Sequence, residues 1–273
     1  MSGSMHFIRA GAGAPPLVFV HGFACAHDDW GAQLAHFRDR HEVLACDLRG
    51  HGATPGTPGQ CTIVRQGADV AGWLRDLGLR EVVLIGHSMG CRVVLEAARL
   101  EPARFAALVL LDGSMVGMGD PAQAEAVVRS IGGAAGFPAF ADAQFQGMFL
   151  GESALSRRIV ARARALPGPI GAGLYASLAN WDVEHMRAAL GEVRVPLLAI
   201  QSTWMDASRR RLPLAEGQSS PWLDLVRETV ASARVEVIAG AGHFPQIERA
   251  TEVNALIDTF IAPLAASAPQ PAR

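Results

Sequence analysis

Lysine is absent from the 273-residue chain, so all 24 basic residues are arginines, an uncommon composition from which no mechanism follows. Against 26 acidic residues they leave a net charge of −2 and a sequence pI near 6.5. That balance supplies no general pull toward nucleic acid or an anionic membrane, and neither partner is expected. Cysteine is scarce: Cys25, Cys46, Cys61 and Cys91 are far apart, with no C-x-x-C pair and no short Cys/His cluster. The spacing excludes a cysteine-based zinc site and predicts free, buried thiols. No apolar run approaches the roughly 20 residues that cross a bilayer, and the first residues lack the regions of a signal peptide. The expectation is a cytoplasmic protein, with Met1 to Ser4 read as a cloning remnant. The sequence also lacks H-E-x-x-H, the phosphate-binding G-x-x-x-x-G-K-[ST], and a G-x-G-x-x-G opening a first βαβ unit. No cofactor and no metal are expected.

Half of the residues are hydrophobic and 18% are charged, enough apolar material for one large α/β domain or a domain with an insertion. Short apolar runs end in turn signals at 16–20, 43–46, 82–85 and 108–111, and again at 197–200 and 235–238. They are nearly continuous in hydrophobicity, as strands buried on both faces of a parallel sheet are. Between them, Val64, Ala68, Ala71, Leu74 and Leu77 step by three and four. So do Val253, Leu256, Ile257, Phe260, Ile261 and Leu264, and each set forms one face of a helix. Strand and helix alternate, which predicts a doubly wound α/β fold. Between 115 and 192 the pattern turns helical, broken at Gly132, Gly133, Gly136, Pro138, Pro167 and Pro169. Its Phe137, Phe140, Phe145, Met148, Phe149, Leu174, Tyr175 and Trp181 exceed what a solvated linker carries. Most are expected to form the insertion's own small core and a few to line a pocket. The expected organisation is a core of 5–114 and 193–265, a helical cap of 115–192 and a frayed tail of 266–273.

Chemistry concentrates at Gly86-His87-Ser88-Met89-Gly90, which follows an apolar run and precedes a helical stretch. This is G-x-S-x-G in a strand–turn–helix setting, where the small residues allow a sharp turn that exposes the serine hydroxyl. A serine hydroxyl needs a base within hydrogen-bond reach to become a nucleophile near neutral pH. Of nine histidines, His243 suits best, because Gly240 and Gly242 permit a tight loop between the last strand-like run and the C-terminal helix. His87 adjoins Ser88, but neighbouring side chains diverge at a sharp turn, so a supporting role is expected for it.

These segments resemble the α/β-hydrolase fold family over almost the whole chain. His21-Gly22-Phe23 is similar to its oxyanion loop, Asp47-Leu48-Arg49-Gly50-His51-Gly52 to its D-x-R-G-x-G turn, and Gly86 to Gly90 and Gly242-His243 to its nucleophile and base segments. The resemblance implies a mostly parallel sheet flanked by helices, with an oxyanion hole made by the backbone N–H groups of Phe23 and Met89. The Asp47 to Gly52 turn is expected to be scaffold, with Asp47 and Arg49 bracing neighbouring loops. The acid departs from the family's usual pattern. The loop after 197–200 has no glycine and offers only Asp206, beside Arg209, Arg210 and Arg211. Asp112, at the end of the 108–111 run, is the alternative, as in some branches of the family. Asp112 is preferred slightly, Asp206 stays open, and Asp224 is a third choice. The resemblance implies a serine hydrolase cleaving a small hydrophobic or aromatic ester, thioester or lactone through an acyl-enzyme. The rival readings are a C–C bond hydrolase, lyase or perhydrolase on the same residues, and a weakly catalytic small-molecule receptor. An epoxide hydrolase or dehalogenase needs a carboxylate where Ser88 stands. The expected partner is a small-molecule substrate, and the expected state a monomer or small homo-oligomer.

Overall fold

A computed structural model describes residues 5–116, 120–206 and 210–267. Seven strands form the main sheet: β1 (Phe7–Ala10), β2 (Leu17–Val20), β3 (Val43–Cys46), β4 (Val82–His87), β5 (Phe105–Leu111), β6 (Leu197–Gln201) and β9 (Arg234–Val237). A separate antiparallel hairpin pairs β7 (Thr203–Met205) with β8 (Arg211–Pro213). The helices are α1 (Gly31–Phe37), α2 (Ile63–Asp76), α3 (Met89–Leu100), α4 (Pro121–Ser130), α5 (Gly133–Gln146) and α6 (Ala154–Ala165). They continue as α7 (Gly168–Glu184), α8 (Met186–Gly191), α9 (Pro221–Thr229), α10 (Pro245–Glu248) and α11 (Ala250–Ser267).

The sheet order is β1-β3-β2-β4-β5-β6-β9, parallel throughout except for β1, which runs antiparallel to β3 at the edge. Burial on both faces explains the unbroken apolar runs. Val18, Val20, Leu84, Leu108 and Leu110 pack in one apolar cluster with residues of α2, α3 and the helices between β5 and β6. The alternate positions Leu17, Phe19, Val83, Ile85 and Val109 pack in the other, with α1 and α11. Alternation therefore survives as two buried faces instead of an inside and an outside. All four cysteines are free and buried.

Helices α4 to α8 occupy the interval between β5 and β6, with no strand among its described residues. Phe137, Phe145, Leu174 and Trp181 are buried there, while Phe140 and Phe149 are partly exposed. The insertion is tied to the sheet domain by polar contacts as well. Arg92 of α3 makes a bidentate pair with Asp182 of α7 at 2.7 and 2.6 Å, and Arg162 of α6 meets Asp28 and Asp29. Helix α11 extends to Ser267, two residues into the expected tail; the rest of that tail and the expected N-terminal remnant lie outside the described residues.

Candidate active site

The sheet order reverses between β2 and β4, so the connections leaving their C-terminal ends diverge, the place where open α/β sheets bind ligands. The loop from His21 to Ala24 leaves β2 at that edge, and Ser88 leaves β4 beside it. Ser88 has φ +55° and ψ −113°, outside the region L-residues prefer. The turn is held by Ser88 N–H donating to the Leu111 carbonyl at 2.9 Å, and by the absence of a side chain at its ends. A Cβ on Gly90 would sit 2.4 Å from the Val20 carbonyl oxygen, and one on Gly86 2.4 Å from that of Gly90. Sequence thus dictates the elbow through two glycines that no larger residue can replace.

His243 closes over the elbow from the loop after β9. Its Nε2 lies 2.8 Å from Ser88 Oγ and its Nδ1 2.6 Å from Asp112 Oδ2. Because a carboxylate only accepts, Nδ1 carries the proton and Nε2 is left to accept from the serine hydroxyl. The loop around the ring is fixed at every backbone group. Gly242 and Phe244 N–H donate to Glu248 of α10 at 3.1 and 3.2 Å, and His243 N–H donates to the Met148 carbonyl in the insertion at 2.8 Å. His87 Nε2–H donates to the His243 carbonyl at 2.7 Å, the supporting place expected of it.

Asp112 follows directly on β5 with φ +45° and is fully buried. Its Oδ1 accepts the backbone N–H groups of Ser202 and Thr203 at 2.7 and 2.9 Å, and its Oδ2 accepts the Thr203 hydroxyl at 2.6 Å as well as His243. These donors come from Ser202, just after the neighbouring strand β6, and Thr203, which opens β7. Burial alone would raise the Asp112 carboxyl, but His243, Arg211 and the Thr203 hydroxyl outweigh it and leave the group below its ordinary value. Burial, followed by the charge of Arg211, pushes the His243 imidazole down to about 4 against the pull of Asp112. It is neutral at pH 7 and able to accept a proton.

The other carboxylate candidates stand elsewhere. Asp206 lies at the turn of the β7–β8 hairpin, where Arg210 donates through its backbone N–H and Nε, both at 2.9 Å. A local i,i+4 ion pair takes up the carboxylate that the sequence left open as a triad member. Asp224 sits in the first turn of α9, exposed, accepting from Ser219 Oγ at 2.6 Å. Neither is bonded to His243.

The N–H groups read from the sequence as oxyanion donors belong to Phe23, in the loop after β2, and Met89, the residue after Ser88. Met89 opens α3, so its N–H has no acceptor within its helix, and among the described residues neither group donates to a protein acceptor. The Phe23 loop is braced from behind. Ala24 N–H donates to His51 Nε2 at 3.1 Å, and Leu48 N–H to His21 Nε2 at 2.9 Å. Burial keeps both imidazoles neutral, with His51 lowered to about 4. The Asp47 to Gly52 turn is built as a brace: Asp47 accepts from His6, His27 and Ala53, and Arg49 pairs with Asp69 at 2.6 and 2.8 Å. The Phe23 ring meets Phe137 and Tyr175 edge-on, at 6.0 and 5.3 Å between centroids.

Ser202, Thr203, Arg211 and Glu248 carry much of this geometry and were not singled out from sequence. Arg211 was visible only as part of a basic run, and Thr203 only as a residue of the loop in which the acid was sought. The arrangement aligns a hydroxyl, a neutral base and a carboxylate, which suits attack on a carbonyl carbon.

The comparisons with known proteins agree with this architecture. Over 261 residues, 93% of its length, the chain is 28% identical to a dihydrolipoyllysine-residue acetyltransferase component of an acetoin cleaving system from Cupriavidus necator. It spans 65% of that relative. Among solved structures, an esterase from Thermogutta terrifontis superposes with a TM-score of 0.78 at 25% identity, covering 96% of this chain and 94% of the other. A hydrolase from Oleispira antarctica gives 0.79 at 18% identity over 94% of each chain and shares the fold. The model of the alpha/beta hydrolase family matches residues 17–256, and the chain belongs to that family.

Proposed function

We propose that this protein is a serine hydrolase acting on a small hydrophobic or aromatic ester, thioester or lactone. The observation that carries the reading is the unbroken line from Ser88 Oγ to His243 Nε2 and from His243 Nδ1 to Asp112, at 2.8 and 2.6 Å. In the reaction so drawn, Ser88 Oγ bonds to the carbonyl carbon as its proton passes to His243 Nε2. The carbonyl oxygen becomes an anion toward the N–H groups of Phe23 and Met89. Collapse expels the alcohol or thiol, which takes the proton from His243 and leaves an acyl-serine. His243 then removes a proton from water as the water oxygen bonds to the acyl carbon, and that proton passes to Ser88 Oγ as the acyl–serine bond breaks, releasing the acid. Substrate and water are the only other participants.

Helices α4 to α8 serve as the cap. Phe137, Phe145 and Tyr175 gather on Phe23, giving the acyl side apolar walls and favouring a small, uncharged substrate over peptide or polysaccharide. The test is a chain-length series of p-nitrophenyl esters with the wild type and Ser88→Ala, alongside intact-mass detection of the acyl-enzyme. Turnover of short esters, lost in Ser88→Ala by three orders of magnitude or more, is expected. Turnover retained above about a hundredth of the wild type refutes covalent catalysis by Ser88.

A further inference from the structure

Arg211 is not needed for the line of proton transfer, yet it sits directly behind it. It stands at the start of β8 opposite Met205, with its side chain only 7% exposed. Its Nη1 donates to Thr203 Oγ1 at 2.7 Å, and Thr203 Oγ1 donates to Asp112 Oδ2 at 2.6 Å. That oxygen accepts His243 Nδ1–H. The hydrogen bonds form a continuous series from guanidinium to hydroxyl, carboxylate, imidazole and serine.

The post is a costly one for an arginine. Among the described residues its one ion-pair partner is Asp112, at 3.6 Å from Nη1 to Oδ2, and its Nε is buried without a hydrogen-bond partner. A guanidinium cannot shed its charge, and a buried charge paired this incompletely contributes little to stability. Its consequence falls on the Asp112–His243 pair. A lone buried carboxylate would stabilise an imidazolium and raise its proton affinity; a carboxylate already balanced by a cation does so much less.

The other groups around the ring leave this balance to Arg211. Arg92 of α3 also repels an imidazolium, but it is neutralised by Asp182. His87 of β4 is buried and neutral, lowered by burial and then by His243 to about 3. Glu248 of α10, on the Asp112 side, is occupied by the Gly242 and Phe244 amides. Tyr175 of α7 lies within electrostatic reach of Arg211.

We propose that Arg211 is a positioning residue of this site, holding Asp112 ionised and aimed through Thr203 and thereby extending to lower pH the range in which His243 can take the Ser88 proton. The inference rests on the catalytic reading above and adds to it the element that sets the enzyme's acid limit.

The experiment measures the rate at which a fluorophosphonate labels Ser88 as a function of pH, since labelling needs the same proton transfer but no particular substrate. In the wild type the acid limb falls below the ordinary histidine value of about 6.5. In Arg211→Gln it moves up by about one pH unit, as expected for losing one cation within a few ångströms in a medium of intermediate dielectric. The alkaline plateau changes less than tenfold. Arg211→Lys, which keeps the charge, leaves the limb within about half a unit of the wild type. Thr203→Val keeps the charge but removes the hydroxyl link, and raises the limb by about half a unit; it carries the test if Arg211→Gln does not fold. A limb unmoved in Arg211→Gln, or in Thr203→Val where that variant stands alone, overturns the proposal, as does a shift in Arg211→Lys equal to that in Arg211→Gln. Absence of Ser88 labelling in the wild type at any pH instead overturns the catalytic reading on which it rests.

Discussion

Replacing Asp112 with Asn separates the candidate acids more sharply than any other change, because the buried surroundings dictate how the amide must sit. Oδ1 accepts two backbone N–H groups, from Ser202 and Thr203, so the Asn oxygen has to remain there. Its NH₂ then takes the place of Oδ2 and points a donor at His243 Nδ1. The ring can meet it only by moving its proton to Nε2, and a protonated Nε2 cannot accept from Ser88. A wrong tautomer in an otherwise intact triad lowers kcat by about four orders of magnitude, equivalent to ~5.5 kcal/mol of transition-state stabilisation. Stability falls at the same time: Arg211 loses its carboxylate, and an uncompensated buried charge costs about 3 kcal/mol or more. Steady-state hydrolysis of p-nitrophenyl butyrate at pH 8 and denaturant unfolding of the same sample read the two effects separately. Asp206→Asn is the control, since its exchange with Arg210 is local and partly solvated; kcat should change by a few-fold at most and stability by under ~1 kcal/mol. A loss below tenfold in folded Asp112→Asn, or an equal loss in Asp206→Asn, refutes the assignment of Asp112.

Gly90→Ala should prevent accumulation of folded protein or lower stability by at least about 3 kcal/mol, because its Cβ meets the rigid carbonyl of Val20 at 2.4 Å; a soluble variant with a wild-type melting temperature would contradict this. Stability should decline as pH falls from about 6.5 toward 4, since buried His21, His51, His87 and His243 all have depressed values and the unfolded chain takes up their protons first. Each contributes up to ~1.4 kcal/mol per pH unit, opposed by the raised carboxyls of Asp29, Asp182 and Glu248, which are fewer. Urea midpoints that stay level from pH 7 to 5 would count against it. Glu248→Gln should retain the fold but lower kcat more than it alters KM, because the amides on either side of His243 lose a charged acceptor; unchanged kcat in stopped-flow ester hydrolysis would remove Glu248 from that role.

What the sequence determined by itself was local and periodic. The apolar run at 82–85 became β4, buried on both faces; the segment expected to be helical became α2, but of the expected face Ala71 and Leu74 are buried while Val64 and Ala68 are exposed, and Ile63, Val70 and Trp73 complete the buried side. Ser88 and His243 were legible because each is flanked by glycines that fix a turn irrespective of its surroundings. Strand β1 escaped because it is a short edge strand with an exposed face, paired only with β3 and lacking a buried apolar run. The hairpin β7–β8 escaped because its two three-residue strands are too short for a pattern to register.

The identity of the carboxylate belonged to the tertiary structure. Asp112 and Asp206 both follow apolar runs, and the missing glycine and the arginines beside Asp206 tilt the reading only slightly toward Asp112. The parallel register that sets Leu111 beside Ile200 brings the end of β5 against the amides of Ser202 and Thr203, which hold the Asp112 carboxylate toward His243. The β7–β8 hairpin carries Asp206 to Arg210 instead. The contacts that bring Asp112 to His243 join residues 90 and 131 positions apart, and only the closing of the sheet makes them neighbours.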